Sequence, residues 1–365
     1  MSSTDPHRIF NFGAGPAVLP EPVLEQARQD LMALPGVGMS VLEVSHRSAV
    51  FEGILEQAEA DLRALVGLAD DHHVLFLQGG ASQQFSMVPM NLLGADRVAD
   101  YVLTGAWAKK AAVEAAKFGQ VHIAATTEAE AFARVPAVDE LRLHPDSVYL
   151  HVTSNNTIVG TQWPMLPDVT GRPLVVDASS DLLSRPIEAV RCGLVYAGAQ
   201  KNLGPAGLTL VIIRKDLAAQ GSEDLPATLR YAVAAEHGSR YNTPPVFAIY
   251  LFGLVMRWLI DTGGLSAIET RNRRKAKRLY EVIDGSGFYR GTAQPESRSM
   301  MNVTFRLPTE ELEQRFSTES AAAGLSGLTG HRLVGGHRAS IYNAFPEAGV
   351  TALVDFMSEF ERTHG

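Results

Sequence analysis

The chain of 365 residues has a single cysteine, Cys192, which excludes an internal disulfide and any zinc site built on cysteines. A reducing, cytoplasmic setting is the expectation from that scarcity. Positive charge is also short: the formal net charge is −8, which argues against the basic footprint that nucleic-acid binding needs. No apolar run reaches membrane-spanning length, and the opening Met-Ser-Ser-Thr-Asp-Pro-His-Arg has no signal-peptide core, so no membrane role is expected. The glycine fingerprint G-x-G-x-x-G, the G-K-[ST] of phosphate loops and the H-E-x-x-H of zinc hydrolases are all missing. Lysine is scarce, with seven against twenty-five arginines and none between Lys117 and Lys201.

That scarcity makes Lys201 conspicuous. It stands in Tyr196-Ala-Gly-Ala-Gln-Lys-Asn-Leu-Gly-Pro-Ala-Gly207, after an apolar run and before a turn of small residues. Desolvation lowers an amine's pKa, so a lysine placed there suits a nucleophile or Schiff-base former. A lysine that only covers a helix start would give the same local pattern. The surroundings must decide.

Hydrophobic residues make up 46% of the chain, and the length allows one large core with a smaller one beside it. Residues 9–16 are too glycine-rich for a helix and read as an extended arm. Helices are expected after Pro20-Glu-Pro22 and from about Ser48, where apolar residues recur at helical spacing. Apolar strands then alternate with helices: His73–Leu77, Asp100–Thr104, Val121–Ala124, Ser147–Val152, Pro173–Asp177 and Leu194–Tyr196, with Gly207–Ile213 as a return strand. Such a rhythm predicts an α/β fold with a mostly parallel sheet covered by helices on both faces. Ligands bind such sheets beyond the carboxyl ends of the strands. Gly79–Ser82, Trp107, Thr157, Asp177 and Lys201 all fall at those ends.

Arg240–Pro245 reads as a rigid turn, with Pro245 in the first turn of an apolar helix reaching about Ile260. Gly263-Gly264 marks a break. The following run, with Arg271, Arg273, Arg274, Lys275, Lys277 and Arg278, reads as a solvated helix face. Beyond it, strand (301–307), helix (309–323), strand (337–342) and helix (347–362) make an α+β unit. The expected division is a large domain over 16–265 and a small one over 266–365, with arm 1–15 packing near the site.

A lysine, a strand-end aspartate, an indole and a glycine-rich helix start suit pyridoxal phosphate, each for its own reason. The lysine attaches to the aldehyde and shuttles protons, and the aspartate keeps the pyridine nitrogen protonated. The helix start offers unpaired N–H groups to the phosphate, and the indole of Trp107 can stack on the ring. Each residue has a plainer reading too. Asp177 could cap a strand, Trp107 could be core, His46 and His331 could be structural donors, and Arg47 and Arg332 could make surface ion pairs.

Lys201 lies twenty-four residues after Asp177 of Val-Asp-Ala-Ser-Ser, and further motifs run in order along the chain. They are Phe10-Asn-Phe, Glu43-Val-Ser-His-Arg47, Gln78-Gly-Gly-Ala-Ser, Gly105-Ala-Trp, Ser154-Asn-Asn-Thr157-Ile, Leu183-Ser-Arg-Pro, Asn242-Thr-Pro-Pro and Gly330-His-Arg-Leu-Val-Gly-Gly-His-Arg338-Ala-Ser-Ile-Tyr-Asn343. Together they resemble the phosphoserine aminotransferase family, of the class V, fold-type I pyridoxal-phosphate enzymes.

The resemblance implies that Lys201 forms the Schiff base, Asp177 pairs the pyridinium nitrogen and Trp107 stacks on the ring. Thr157 and Gln200 hold the ring hydroxyl and phosphate side, and Ala81 and Ser82 present backbone N–H groups to the phosphate. Asn242 and Thr243 reach the cofactor of the other subunit, so a homodimer with shared active sites is implied. Arg338 clamps the substrate α-carboxylate. His46 and Arg47, with His331 and Arg332 of the partner chain, face the distal phosphate or the γ-carboxylate of glutamate. The implied reaction converts 3-phosphohydroxypyruvate and L-glutamate into O-phospho-L-serine and 2-oxoglutarate, with the phosphohydroxythreonine reaction of pyridoxine biosynthesis beside it. Two departures stand out: Ala14 where some relatives carry serine, and Ser82 where some carry arginine. Rival readings are another class V enzyme, such as a serine–glyoxylate aminotransferase or a cysteine desulfurase, a nucleotide-dependent oxidoreductase, and a non-catalytic binding protein. Cys192, just before a core strand, does not suit a desulfurase nucleophile.

Overall fold

The computed structural model describes residues 8–187 and 189–365; the first seven residues of the expected arm lie outside the described residues. Seven strands form the central sheet: β1 (His72–Leu77), β2 (Val98–Leu103), β3 (Gln120–Thr126), β4 (Ser147–Thr153), β5 (Leu174–Asp177), β6 (Leu194–Gly198) and β7 (Thr209–Arg214). Their order is β1-β7-β6-β5-β4-β2-β3, and only β7 runs antiparallel to its neighbours. The expected mostly parallel sheet is present, and the return strand is the one that reverses.

Helices cover both faces. α1 (Glu21–Asp30), α2 (Ala49–Val66) and α5 (Val246–Asp261) lie with one face, and α3 (Gly80–Leu92) and α4 (Ala106–Ala115) with the other. Ser48 caps α2 by accepting from the Phe51 N–H at 3.3 Å, and Gly67, at φ 63°, ends it in the left-handed conformation. α5 is buried nearly throughout, with Ile249, Phe252, Val255, Met256 and Leu259 in the core. Each such side chain stabilises the fold by about 1.5–3 kcal/mol through removal from water. Pro245 stands just before α5 rather than inside its first turn, with ψ at 76°, and its carbonyl accepts from the Ile249 N–H.

At Gly263 and Gly264, both in the left-handed region, the chain turns through 83° into α6 (Gly264–Gly285). α6 serves two cores. Leu265 and Ile268 pack with the large sheet, whereas Ala276, Leu279 and Ile283 pack with a three-stranded antiparallel sheet. That second sheet is β8 (Arg290–Gly291), β9 (Asn302–Arg306) and β10 (His337–Ser340), accompanied by α7 (Glu310–Ala322) and α8 (Glu347–His364). The N-terminal arm joins it: Phe10–Asn11 pairs in parallel with Leu325–Ser326, and Phe12 is wholly buried. No single helix among the described residues is long and apolar enough to cross a membrane.

The basic run on α6 is not uniformly solvated. Arg273 and Lys277 turn outward to Glu269 and Glu281, but Lys275 is buried. Its ammonium donates to the carbonyls of Ile341, Tyr342 and Phe345, at 2.9, 2.6 and 3.2 Å. Three acceptors match the three donors of an ammonium, which offsets the loss of water. The carbonyls belong to the segment that follows β10, so Lys275 fixes the exit of the strand carrying Arg338. Lys275→Met, which keeps the stem and strands the carbonyls, is expected to cost about 3 kcal/mol of stability. Urea unfolding midpoints would measure it, and a loss under about 0.5 kcal/mol would contradict this role.

Candidate active site

The carboxyl ends of β1, β2, β4, β5 and β6 converge on one hollow. β6 ends at Gly198, and the next turn carries Gln200 and Lys201. A Cβ at Gly198 would stand 2.6 Å from Gln200 Oε1, so the glycine leaves room for the glutamine side chain to lie against the strand end. The arm lies against this turn, with the Ala17 N–H donating to the Gln200 carbonyl at 2.8 Å.

Lys201 Nζ donates to Thr157 Oγ1 at 2.7 Å. Burial lowers its pKa to about 8, opposed by the nearby Asp177 carboxylate and helped by Arg338. Asp177, at the end of β5, is buried, and Oδ1 accepts from the Ser179 N–H at 3.0 Å. Burial pushes its pKa upward against those hydrogen bonds. A cation set against this carboxylate would reverse that shift.

Arg338 projects from β10 into the same hollow. Its Nη1 donates to the Thr157 carbonyl at 3.2 Å, so Thr157 links the lysine and the arginine. The guanidinium is buried, and its Nε has no hydrogen-bond partner among the described residues. A buried, unsatisfied donor on a planar cation is suited to receive a carboxylate.

α3 supplies the anion cradle. Gly79, at φ 89°, precedes the helix without a side-chain cap, and no acidic residue occupies its first turn. A Cβ at Gly79 would strike the Gln83 side chain. The opening N–H groups of Gly80, Ala81 and Ser82 are thus left for an anion. Trp107, in the first turn of α4, is half-buried, and Lys110 Nζ lies 4.5 Å from its ring centroid. The residues present therefore fit a phosphorylated aromatic aldehyde, with an amine, a ring-nitrogen partner, an indole face and a phosphate cradle.

The remaining expected residues divide into two groups. The resemblance places His331 and Arg332 on the partner chain; within its own chain His331 lies near enough to Arg338 to feel its charge. A left-handed Gly335-Gly336 turn folds the 329–337 segment back, and Thr329 bridges His337. His331 accordingly has its pKa lowered by burial, then by Arg338, Arg332 and Lys110. His46, by contrast, lines a separate hollow of about 570 Å³ with Val44, Thr243, Pro244 and Phe247. Asn242 borders another, and the Thr243 carbonyl accepts from Gln78 Nε2 at 3.3 Å. Arg47 is exposed, with Nε 3.4 Å from His46 Nε2. Within one chain Arg47, Asn242 and Thr243 are exposed and His46 is partly so.

Sequence reasoning missed a buried polar frame behind the lysine. Asp181 accepts from Ser154 Oγ and, at 2.9 Å, from Gln162 Nε2, fixing both ends of the short hairpin that presents Thr157. Asn155 Nδ2 donates to Asn302 Oδ1 at 2.8 Å, tying that hairpin to β9. The signal was available in Ser154-Asn-Asn, a polar run where a buried strand ends. Ala14, the first departure, contributes its carbonyl, which accepts from Tyr342 Oη at 2.8 Å.

Fold and site together define an aminotransferase. The chain matches the aminotransferase class-V family over residues 9–353 and belongs to it. It is 54% identical over 358 residues to the phosphoserine aminotransferase of Herpetosiphon aurantiacus, a match covering 98% of this chain and 99% of that protein. The phosphoserine aminotransferase of Laribacter hongkongensis is 55% identical over the same length. Among solved structures, phosphoserine aminotransferase from Bacillus circulans subsp. alkalophilus superposes with a TM-score of 0.97 at 50% identity, covering 98% of this chain and 99% of that one. The pyridoxal-phosphate-bound enzyme from Trichomonas vaginalis gives 0.91 at 38%, covering 96% and 100%. Within class V, the chain's place is in the phosphoserine aminotransferase family.

Proposed function

We propose that this chain transfers the amino group of L-glutamate to 3-phosphohydroxypyruvate, giving 2-oxoglutarate and O-phospho-L-serine for serine biosynthesis, with pyridoxal 5'-phosphate as cofactor. The observation that carries the reading is the linkage of Lys201, Thr157 and Arg338 opposite Asp177. When bound, the cofactor supplies an electron sink for the substrate Cα and a carrier for the amino group. Lys201 holds it and moves the proton at Cα, a role for which an amine of depressed pKa is suited. Asp177 keeps the proton on the ring nitrogen, Trp107 covers one ring face, and the first turn of α3 holds the phosphate. Thr157 and Gln200 orient the ring. Arg338 binds the α-carboxylate common to both amino acids and both oxo acids.

The distal anion needs a second cationic group. His331 and Arg332 supply it from the chain that holds Lys201. A second copy contributes His46 and Arg47, with Asn242 and Thr243 reaching the cofactor phosphate. The exposure of Arg47, Asn242 and Thr243 within one chain supports a homodimer with shared sites. The division into domains over 16–265 and 266–365, a cytoplasmic location and a second reaction on the phosphohydroxythreonine substrate belong to the same proposal.

The test is a ping-pong assay on the loaded enzyme. Glutamate with 3-phosphohydroxypyruvate is expected to turn over, while alanine, lacking a distal anion, is worse by ~10²-fold or more as donor in kcat/KM. Equal use of alanine would refute the anion-pocket reading.

A further inference from the structure

Lys109 and Lys110 are adjacent on α4 but behave differently. Lys109 Nζ reaches Glu128 at 2.5 Å, an ordinary surface pair. Lys110 is exposed, yet it makes no ion pair among the described residues. The carboxylate one turn along the helix, Glu114, is engaged instead by Lys117 at 2.7 Å and by Ser86 at 3.3 Å. The Lys110 ammonium lies over the Trp107 indole, 4.5 Å from the ring centroid, where a cation is held by the ring quadrupole.

This position is beside the substrate pocket. Lys110 is close enough to His331 to act on its charge state together with Arg332 and Arg338. Like charges gathered without a carboxylate repel one another, and a bound anion relieves that repulsion. Arg338 meets an α-carboxylate, which leaves Lys110 for the distal end.

The neighbouring helix gives a second, independent geometric reason. α3 and α4 leave the ends of strands that run the same way, so the two helices run side by side in parallel, touching through Ser86 and Glu114. One turn earlier on each stand Ser82, in the opening turn of α3, and Lys110. α3 carries no lysine or arginine, so of these two helices only α4 brings a cation.

We propose that Lys110 is a specificity-determining residue of this site: held over Trp107 beside His331 and Arg332, its ammonium receives the distal phosphate of the substrate. A phosphate dianion gains more from the added cation than the single negative charge of the glutamate γ-carboxylate. Lys110 therefore biases the pocket toward the phosphorylated partner. The inference rests on the transamination proposed above.

The experiment compares Lys110→Met, which keeps the stem over the indole, with Lys110→Arg in the loaded enzyme. Kinetics are measured for O-phospho-L-serine and for L-glutamate, and inorganic phosphate is titrated as a competing ion. Lys110→Met is expected to raise KM for phosphoserine about fivefold to tenfold and to weaken inhibition by phosphate similarly, with the effect in KM rather than kcat. KM for glutamate should move less than about threefold, and the near-visible absorbance of the loaded enzyme should stay in place. Lys110→Arg should restore phosphoserine binding. Unchanged KM for phosphoserine would overturn the proposal. Equal losses on both substrates with a shifted absorbance would also overturn it, because Lys110 would then act through Trp107 on the cofactor. Either result leaves the transamination standing. Failure of the unsubstituted enzyme to use phosphoserine at all would overturn both.

Discussion

Lys201→Ala is expected to lower turnover by ~10⁴-fold or more, because it removes the amine that holds the cofactor and carries the proton at Cα. The near-visible absorbance of the loaded enzyme should vanish with it. Lys201→Arg should fail as well, since a guanidinium stays protonated at any working pH. The depressed pKa adds a pH dependence whose sign is fixed. Only the neutral amine attacks an aldehyde, and with a pKa near 8 instead of 10.5 the neutral fraction grows as pH passes through 8. Uptake of pyridoxal 5'-phosphate by the cofactor-free protein should therefore accelerate from pH 7 to about 9 and then level off. A midpoint near 10.5, or retained turnover in the alanine variant, would remove Lys201 from this role.

Arg338→Ala should impair both half-reactions, by ~10²–10³-fold in kcat/KM for glutamate and for phosphoserine alike. The α-carboxylate is the group that all four reactants share, so the loss must be even-handed. Arg338→Lys should recover little, because an ammonium cannot supply two parallel donors to a carboxylate. The KM and kcat of each substrate, measured separately, check this. An effect confined to phosphoserine would move Arg338 to the distal end and leave the α-carboxylate without a partner.

The sheet was legible because its strands are short, largely apolar runs that alternate with helical stretches. Lys201 and Asp177 were legible for the same reason, as charged residues placed where those runs stop. Lys275 was hidden by composition: five other cations surround it, although its spacing from Ile268 and Leu279 places it on the buried stripe of α6. The approach of His331 to Arg338 depends on the 329–337 turn, which no helical or strand period encodes. Lys110 read as one more lysine on an alanine-rich helix, because a contact with an indole one turn back leaves no mark in the spacing of apolar residues. Asp181 was passed over because a second acid four residues after the first looks like surface, and only packing makes it the anchor of Ser154 and Gln162.

The pairing of Phe10–Asn11 with Leu325–Ser326 has a consequence for how the protein is made. About 300 residues separate the two segments, and at roughly 5–20 residues per second a ribosome needs on the order of 15–60 seconds to bring the second into being after the first. Throughout that interval the leading segment, Phe12 included, has emerged without its partner strand. The arm that borders the Lys201 turn can settle only near the end of translation, so a nascent chain stalled before residue 325 would carry the large sheet with one wall of its catalytic hollow missing.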